Sequence, residues 1–369
     1  MASHGVARTT RIRTEEQRLQ DLQKIKTYRD LENEIRTQAA SGTYGPALFQ
    51  LTTKLLRLNP EYYTIWNVRR RCLMSDLLYR RTDQEGSETQ DQPSDVQNQE
   101  SDSNILQAEL AFTMPLLVEF PKCYWIWNFR QWILSQAILR LPIPVARRIW
   151  ETELGLVSKM LTKDRRNFHA WGYRRSVVAK LESPVLQGKS MAEDEFAYTT
   201  KMIGTDLSNF SAWHNRSQLI LRVLDERGAD DKARAAFLVE ELSFVRGALN
   251  VGPDDQSLWY YHQFLVSQVI DYGNRHTIAP ALTVDERIAY LRREIDEIRD
   301  LLEDYTDVKW IYEALLEYTL SLERLERPER DSDGANGPQT WLAKVQALDP
   351  MRTGRWNDIR KEIELQRDS

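Results

Sequence analysis

Apolar residues recur at intervals of three and four along most of the chain, which is the pattern of helices with one buried face. Segments 145–164, 193–206 and 232–250 all carry it. In the first of these segments the apolar positions are Ile149, Leu154, Val157 and Leu161. No strand-like alternation of any length competes with this pattern, so the sequence predicts an all-α fold.

A second pattern lies between these segments and repeats along the chain. Five stretches align on a tryptophan, and the aligned residues are Trp66, Trp127, Trp171, Trp213 and Trp259. Three of the four intervals between them are close to about 44 residues. A period in the forties is typical of repeat proteins in which each repeat is a helix pair. The sequence therefore predicts a solenoid of about six or seven helix pairs.

The positions around each tryptophan share a helical register. In the first four copies an aromatic residue lies three positions before the tryptophan, at Tyr63, Tyr124, Phe168 and Phe210. An arginine lies three positions after it, at Arg69, Arg130, Arg174 and Arg216. Steps of three place these side chains along one side of a helix. The fifth copy departs, because Gln256 and His262 replace the aromatic residue and the arginine.

Start signals come before these helices. Pro60 and Pro121 precede the first two, and Asp164 and Asp206 precede the next two. Proline fits a first helical turn and aspartate suits a helix start, so we interpret all four residues as signals that a helix begins.

The remaining segments are assigned from their composition. Residues 81–104 are polar and acidic and cannot bury enough apolar surface to order themselves, so we predict a disordered insertion. We predict a flexible tail at 1–14 and a loop at 327–339. The stretch 348–365 is a candidate terminal cap. Residues 15–369 are then one helical-repeat domain.

Composition narrows the function classes. The net charge of −5 argues against nucleic-acid binding by bulk electrostatics, which usually requires a basic surplus. Two cysteines, Cys72 and Cys123, offer no disulfide framework, which fits a reducing compartment. The first 19 residues contain no apolar stretch like that of a secretory signal, and no run of about 18 apolar residues occurs anywhere. We therefore expect a cytoplasmic protein.

Candidate chemistry is sparse. The tryptophans fit core packing better than nucleotide stacking, and the arginines fit packing within the scaffold or a role at a partner surface equally well. His169 and His214 lack other ligands at metal-binding spacing, and no nucleotide-binding or hydrolase motif occurs. Lys122 is either a solvated lysine or a cation for an anionic ligand at a helix start. The residues by themselves indicate a helical scaffold that binds another protein.

Four quoted stretches carry a resemblance to a known family, namely "PEYYTIWNVR", "PKCYWIWNFR", "NFHAWGYRR" and "NFSAWHNR". They resemble the repeats of protein prenyltransferase α subunits. The resemblance implies a right-handed α-α superhelix, a crescent of antiparallel helix pairs around an α-α barrel β subunit. The opening segment, which contains His4, is similar to the Rab geranylgeranyltransferase (type II) kind, and so is the third copy with Phe168. Trp125 stands where the farnesyltransferase kind usually has glutamine, which argues against recognition of a CaaX box.

The resemblance also implies an activity shared between two chains. The β subunit holds a zinc ion that activates the acceptor thiolate, and no metal is expected in this chain, although His4 is a speculative ligand. Lys122 is implied to stabilise the leaving diphosphate of geranylgeranyl diphosphate, with Tyr124 and His169 as further substrate-edge candidates. The tryptophans and arginines of the first four copies, together with Phe168 and Phe210, are candidates for repeat packing and the β interface.

Three functions follow from these expectations. The first is the α subunit of Rab geranylgeranyltransferase in its minimal form, acting with the β subunit on a Rab GTPase presented by a Rab escort protein. The second is the α subunit shared by farnesyltransferase and type I geranylgeranyltransferase. The third, from another class, is a non-catalytic helical-repeat adaptor.

Overall fold

A computed structural model describes residues 14–79, 93–270, 276–326 and 337–367, and within these ranges the chain forms helices and no strands. The chain divides into two compact units, residues 1–189 and 190–369. The sequence predicts one domain over residues 15–369, whereas the contacts group the chain into these two units.

The first unit consists of one long helix followed by three helix pairs. Its helices are α1 (Glu15–Ala40), α2 (Pro46–Leu58), α3 (Tyr63–Cys72), α4 (Pro93–Glu119), α5 (Tyr124–Arg140), α6 (Ile143–Lys163) and α7 (Phe168–Leu181). Helix α1 packs on α2, and the pairs are α2 with α3, α4 with α5, and α6 with α7. Short connections of about four residues make the members of each pair antiparallel.

The second unit repeats the same construction in four pairs. Its helices are α8 (Ala192–Thr205), α9 (Phe210–Glu226), α10 (Asp231–Leu249), α11 (Gln256–Ile270), α12 (Val284–Asp300), α13 (Lys309–Glu326), α14 (Pro338–Leu348) and α15 (Thr353–Arg367). Each helix packs most closely on its neighbour in sequence. The prediction of an all-α fold built from helix pairs is confirmed. In the described ranges no helix is both long and apolar enough to cross a membrane.

A four-residue turn joins the two helices of each of the first four pairs, and six residues join those of the fifth. In the second pair the backbone N–H of Cys123 donates to the carbonyl of Phe120 at 3.0 Å. Pro121 therefore occupies the second turn position, where its restricted φ is favourable, and it lies three residues before α5 begins. Pro60 and Pro121 thus precede their helices, as start signals should, but they lie in the turn rather than in the first helical turn.

Asparagines, rather than aspartates, cap the next two of these helices. Asn167 and Asn209 accept hydrogen bonds from the backbone N–H groups of Ala170 and Ala212. Both side chains are buried N-caps, which satisfy donors that a helix start leaves without partners. Asp164 and Asp206 instead end the preceding helices α6 and α8. Asp164 and Asp206 therefore lie at the beginning of the turn before each helix and not at the start of the helix itself.

The aligned tryptophans fasten each turn to the helix that follows it. Each indole N–H donates to the carbonyl six residues earlier, at 2.6–2.9 Å. The accepting residues are Pro60, Pro121, Arg165, Leu207 and Pro253. All five rings are buried. Each tryptophan thus buries apolar surface and also donates one hydrogen bond. Phenylalanine at the same register would lack the hydrogen bond.

The acidic insertion is shorter than the sequence indicated. Residues 80–92 lie outside the described part of the chain, but Pro93–Glu119 forms α4. Asp102 is buried there, accepts from the backbone N–H of Tyr79 and pairs with Arg140 at 3.2 Å. Leu106, one turn further, is fully buried. The prediction of disorder was wrong for residues 93–104. Contacts with residues distant in sequence stabilise the helix there despite its polar composition.

Two later segments also differ from their predicted bounds. The predicted loop at 327–339 lies mostly outside the described residues, but Pro338 already belongs to α14. The terminal segment keeps the tryptophan contact, since the Trp356 indole donates to the Asp349 carbonyl at 2.9 Å. The predicted tail at 1–14 falls outside the described range except for Thr14, which caps α1.

Candidate functional site

The arginines that recur at the same register in the repeats form buried hydrogen bonds and ion pairs and are not surface residues. Arg130 on α5 donates from Nε and Nη2 to the two oxygens of Glu153 on α6, at 2.7 and 2.6 Å. Its Nη1 donates to the carbonyl of Leu110 and the hydroxyl of Thr113 on α4. A bidentate pair of this kind satisfies a planar guanidinium inside the protein. The pair connects the second helix pair to the third.

The same arrangement recurs in two further repeats. Arg69 on α3 binds both oxygens of Glu109 on α4 at 2.6 Å, and Arg216 on α9 binds both oxygens of Glu241 on α10. Arg174 is also buried, and its Nη1 donates to the Ser158 hydroxyl at 2.7 Å. The partner carboxylates lie 40, 23 and 25 residues beyond their arginines, which is why sequence spacing did not reveal them.

Tyrosine hydroxyls complete two of these pairs. Tyr173 donates to Glu153 at 2.6 Å, and Tyr261 donates to Glu241 at 2.5 Å. Burial, reinforced by the adjacent carboxylate, raises the pKa of each tyrosine well above its ordinary value. Burial opposes the charge on Arg130, but Glu153 holds the pKa of that guanidinium above its ordinary value. The Tyr173 and Tyr261 hydroxyls therefore stay protonated near neutral pH and remain donors to their carboxylates.

The fifth and sixth helix pairs use other groups at the arginine register. His262 replaces the fifth arginine and lies 3.0 Å from Glu294 and 2.8 Å from the Tyr318 hydroxyl. In α13 the residue three positions after Trp310 is Glu313, which pairs with Arg355 at 2.9 Å. Compared with the earlier repeats the two charges have exchanged places, since the carboxylate is at the arginine register and the arginine lies on a later helix. This sixth copy was not predicted, because Glu313 stands where the first four copies have arginine.

The aromatic residue at the start of each repeat does not share the packed side. Tyr63, Tyr124, Phe168 and Phe210 are all at least half exposed, and Phe168 is 72% exposed. Each is the first residue of its helix. Because three residues advance a helix by about 300° rather than 360°, three such positions spread over about 120° of its surface. Phe168 and Phe210 are therefore not core residues of their repeats, and their role at the β interface stays a prediction.

In the first unit the exposed rings of Tyr63, Tyr124 and Phe168 are linked along one edge by two half-buried rings, those of Trp125 and His169. Ring centroids of Tyr63 and Trp125 are 5.2 Å apart, as are those of Tyr124 and Trp125. The Tyr124 and His169 centroids lie 6.4 Å apart, and those of His169 and Phe168 lie 5.4 Å apart. We call these five residues the aromatic edge. It joins the starts of α3, α5 and α7 and presents apolar surface to solvent.

Lys122 lies beside this edge but not where the sequence placed it. It is the third residue of the Phe120–Cys123 turn, two positions before α5 begins, and it is exposed. Its backbone therefore precedes the helix N-cap rather than belonging to the first helical turn. Within the described part of the chain Lys122 makes no ion pair, so its ammonium is available to an anion from outside.

Neither metal ligands nor a reactive thiol accompany the edge in the described ranges. These ranges contain no group of three or more histidine, cysteine, aspartate or glutamate side chains that could hold a metal ion. His4 lies outside them. Burial raises the pKa of both Cys72 and Cys123 to about 11, so each thiol is protonated near neutral pH. The surface favours recognition of an apolar partner with a negatively charged group next to it.

Five segments match a family model described as protein prenyltransferase alpha subunit repeat. The matched residues are 46–76, 106–137, 150–181, 192–223 and 238–269. They contain the five aligned tryptophans and correspond to the first five helix pairs. The sixth and seventh pairs, with Trp310 and Trp356, lie beyond the matched residues.

The chain belongs to the family of protein prenyltransferase α subunits. Relatives within it are named geranylgeranyl transferase type-2 subunit alpha. The Saccharomyces cerevisiae relative is 30% identical over 96% of this chain and 97% of its own length, and the Schizosaccharomyces pombe relative is 32% identical over 98% of each. The Dictyostelium discoideum relative is 34% identical over 85% of this chain and 88% of its own length. The resemblance to prenyltransferase α subunits of the type-2 kind is thus confirmed.

Proposed function

We propose that this chain is the α subunit of a Rab geranylgeranyltransferase, which transfers geranylgeranyl from geranylgeranyl diphosphate to C-terminal cysteines of Rab GTPases. The observation that carries the proposal is the grouping of Lys122, Tyr124 and His169 at the adjoining starts of α5 and α7. A cation beside exposed aromatic rings suits a ligand that combines a diphosphate with a hydrocarbon chain.

The proposed chemistry assigns one role to this chain and another to its partner. A cysteine thiolate of the Rab protein attacks C1 of the lipid, the C–O bond breaks, and diphosphate leaves with the bonding electrons. Negative charge grows on the diphosphate as the bond breaks, so a lysine ammonium interacts more strongly with the transition state than with the bound substrate. We assign this role to Lys122, and assign Tyr124 and His169 to the border of the same site.

The acceptor thiolate is assigned to zinc held by the β subunit. Zinc lowers the pKa of a bound thiol and so supplies a nucleophile near neutral pH. In this proposal the present chain contributes no zinc ligand, and the enzyme is active only as a cytoplasmic heterodimer. The Rab escort protein, rather than a short peptide sequence, presents the substrate.

We further assign the aromatic edge to the interface with the β subunit. Tyr63, Tyr124 and Phe168 are exposed in a row that the half-buried Trp125 and His169 complete, and aromatic residues are enriched at protein interfaces. In the second unit Phe210 and Tyr260 form a similar exposed contact, with ring centroids 6.1 Å apart. The packed tryptophans and arginines then support the interface indirectly, by holding the helix starts in place.

Phe168→Asp is expected to reduce association with the β subunit at least tenfold. The substitution places a charge within the proposed interface while changing a side chain that is 72% exposed in the isolated chain. The measurement is the dissociation constant of purified chains. Val185→Asp is the matched control, because Val185 is 51% exposed and follows the opposite end of α7. Equal affinity of the two variants would contradict the assignment.

Trp125 supports the choice of substrate class. Its ring lies between Tyr63 and Tyr124 with both centroids 5.2 Å away, and it carries no group that donates two hydrogen bonds to a carboxylate. The farnesyltransferase kind usually has glutamine here. The position therefore favours a substrate recognised through an escort protein over a CaaX peptide.

The decisive experiment is reconstitution with candidate β subunits. This chain would be co-expressed with the type II β subunit or with the farnesyltransferase β subunit, and each zinc-loaded product assayed on an escorted Rab and on a CaaX peptide. Transfer to Rab with the type II partner supports the proposal. Transfer only to the CaaX peptide would indicate the farnesyltransferase kind, and binding without turnover with either partner would indicate an adaptor.

A further inference from the structure

The turn that carries Lys122 is held by a hydrogen-bond arrangement that the reaction does not by itself require. The carbonyl of Pro121, adjacent to Lys122, accepts from the Trp127 indole at 2.9 Å. The same oxygen accepts from the side-chain amide of Asn167 at 3.1 Å. Both lone pairs of this carbonyl are therefore used, and the peptide plane between Pro121 and Lys122 has a defined orientation.

Asn167 reaches this carbonyl from the next helix pair. Its side chain is only 3% exposed, and its Oδ1 accepts from the backbone N–H of Ala170 at the start of α7. The amide N–H of Asn167 thus donates to the turn before α5, while its oxygen accepts from the first turn of α7. An amide with both ends bonded in the interior has little freedom to rotate.

The corresponding turn of the first repeat is held more weakly. Pro60 accepts from the Trp66 indole at 2.8 Å, and its second donor is the Cys123 thiol at 3.5 Å. A thiol is a weak donor, whereas an amide N–H is an ordinary one. The residue at the Lys122 position of that turn is Glu61. The stronger of the two arrangements is therefore the one that precedes the lysine.

We infer that Asn167 is a positioning residue for Lys122 and sets its location relative to the start of α7, where His169 lies. This inference rests on the proposed function of Lys122 at the diphosphate. The hydrogen bond from Asn167 keeps the lysine backbone at one distance from the Tyr124 and His169 rings, whose centroids are 6.4 Å apart. Asn167 itself is buried and is assigned no contact with the substrate.

Loss of this hydrogen bond should weaken catalysis without abolishing it. The lysine side chain has four rotatable bonds and absorbs part of a backbone displacement. A displacement of about 1 Å in a catalytic group lowers rates by up to a hundredfold, so we expect roughly a tenfold loss.

The test uses Asn167→Ser in the reconstituted heterodimer. Serine retains the N-cap acceptor for α7 and removes the donor to Pro121, so helix stability changes little. We expect a roughly tenfold slower single-turnover transfer and an equally raised inhibition constant for inorganic diphosphate, with KM for the escorted Rab unchanged. Asn209→Ser is the matched control, because it alters an equivalent buried N-cap at the start of α9, in a repeat without Lys122. The control should leave both quantities within about twofold of wild type.

Dependence on the lysine distinguishes positioning from a general structural effect. In a Lys122→Ala background, Asn167→Ser should cause no further change in either the transfer rate or inhibition by diphosphate. Equal effects in both backgrounds, or no effect of Asn167→Ser in an active heterodimer, would overturn the inference. Absence of transfer by the wild-type heterodimer would instead refute the proposed function, so the two failures are distinguishable.

Discussion

Lys122→Ala is expected to slow single-turnover prenyl transfer by about a hundredfold in the assembled heterodimer, at saturating geranylgeranyl diphosphate. Removing one group that stabilises a developing anion typically costs about a hundredfold to a thousandfold in rate. The lower value is expected here, because Lys122 is exposed in this chain and other cations can approach a diphosphate. The measurement is quench-flow or rapid-filtration detection of labelled lipid on an escorted Rab.

The expected loss should be confined to the chemical step. Because Lys122 lies in a turn and takes part in no ion pair among the described residues, Lys122→Ala should leave the thermal stability and heterodimer affinity unchanged. Lys180→Ala, near the opposite end of α7, is a control for the loss of one positive charge. A wild-type rate for Lys122→Ala at saturating lipid would refute the assigned role.

Arg130→Met is expected to lower the free energy of unfolding by about 3–5 kcal/mol. The substitution leaves Glu153, which is 2% exposed, buried without its bidentate partner, and it removes donors to Leu110 and Thr113. An unpaired buried carboxylate is costly because the interior does not replace its hydration. The measurement is the midpoint and slope of urea unfolding, monitored by tryptophan fluorescence.

A double substitution separates the unpaired charge from the lost packing. Arg130→Met combined with Glu153→Leu removes both charges, and it should recover at least half of the lost stability. Arg36→Met is a control, since Arg36 pairs with Glu32 at 3.4 Å but its side chain is largely exposed, and its unfolding midpoint should hardly move. An equal loss for the single and double substitutions would show that packing, not the buried charge, dominates.

The buried ion pairs illustrate what a repeat pattern can and cannot reveal. The arginine register was visible, because three residues beyond the tryptophan is a local helical spacing. The glutamate partners were not, since they lie on the following helix pair at separations of 40, 23 and 25 residues. Such separations depend on connection and helix lengths, which differ between repeats. The fifth and sixth pairs form a comparable contact with other residues, His262 with Glu294 and Glu313 with Arg355, and these partners were hidden for the same reason.

The candidate site was only partly accessible to sequence reasoning. Lys122 stood out by its place in the second repeat, and the resemblance linked it with Tyr124 and His169. The amide of Asn167 did not stand out, because its bond to Pro121 spans 46 residues. The exposure of Tyr124 and Phe168 was equally hidden, since it depends on which neighbours a helix start meets.

The sequence by itself determined the helical class, the repeat period and the tryptophan and arginine register of this protein. These properties follow from spacing within single helices, which local periodicity records directly. Tertiary structure decided which carboxylate meets each arginine, where the acidic insertion ends, and which rings form the aromatic edge. Those outcomes depend on contacts between residues far apart in the chain, and a spacing rule within one helix contains no information about them.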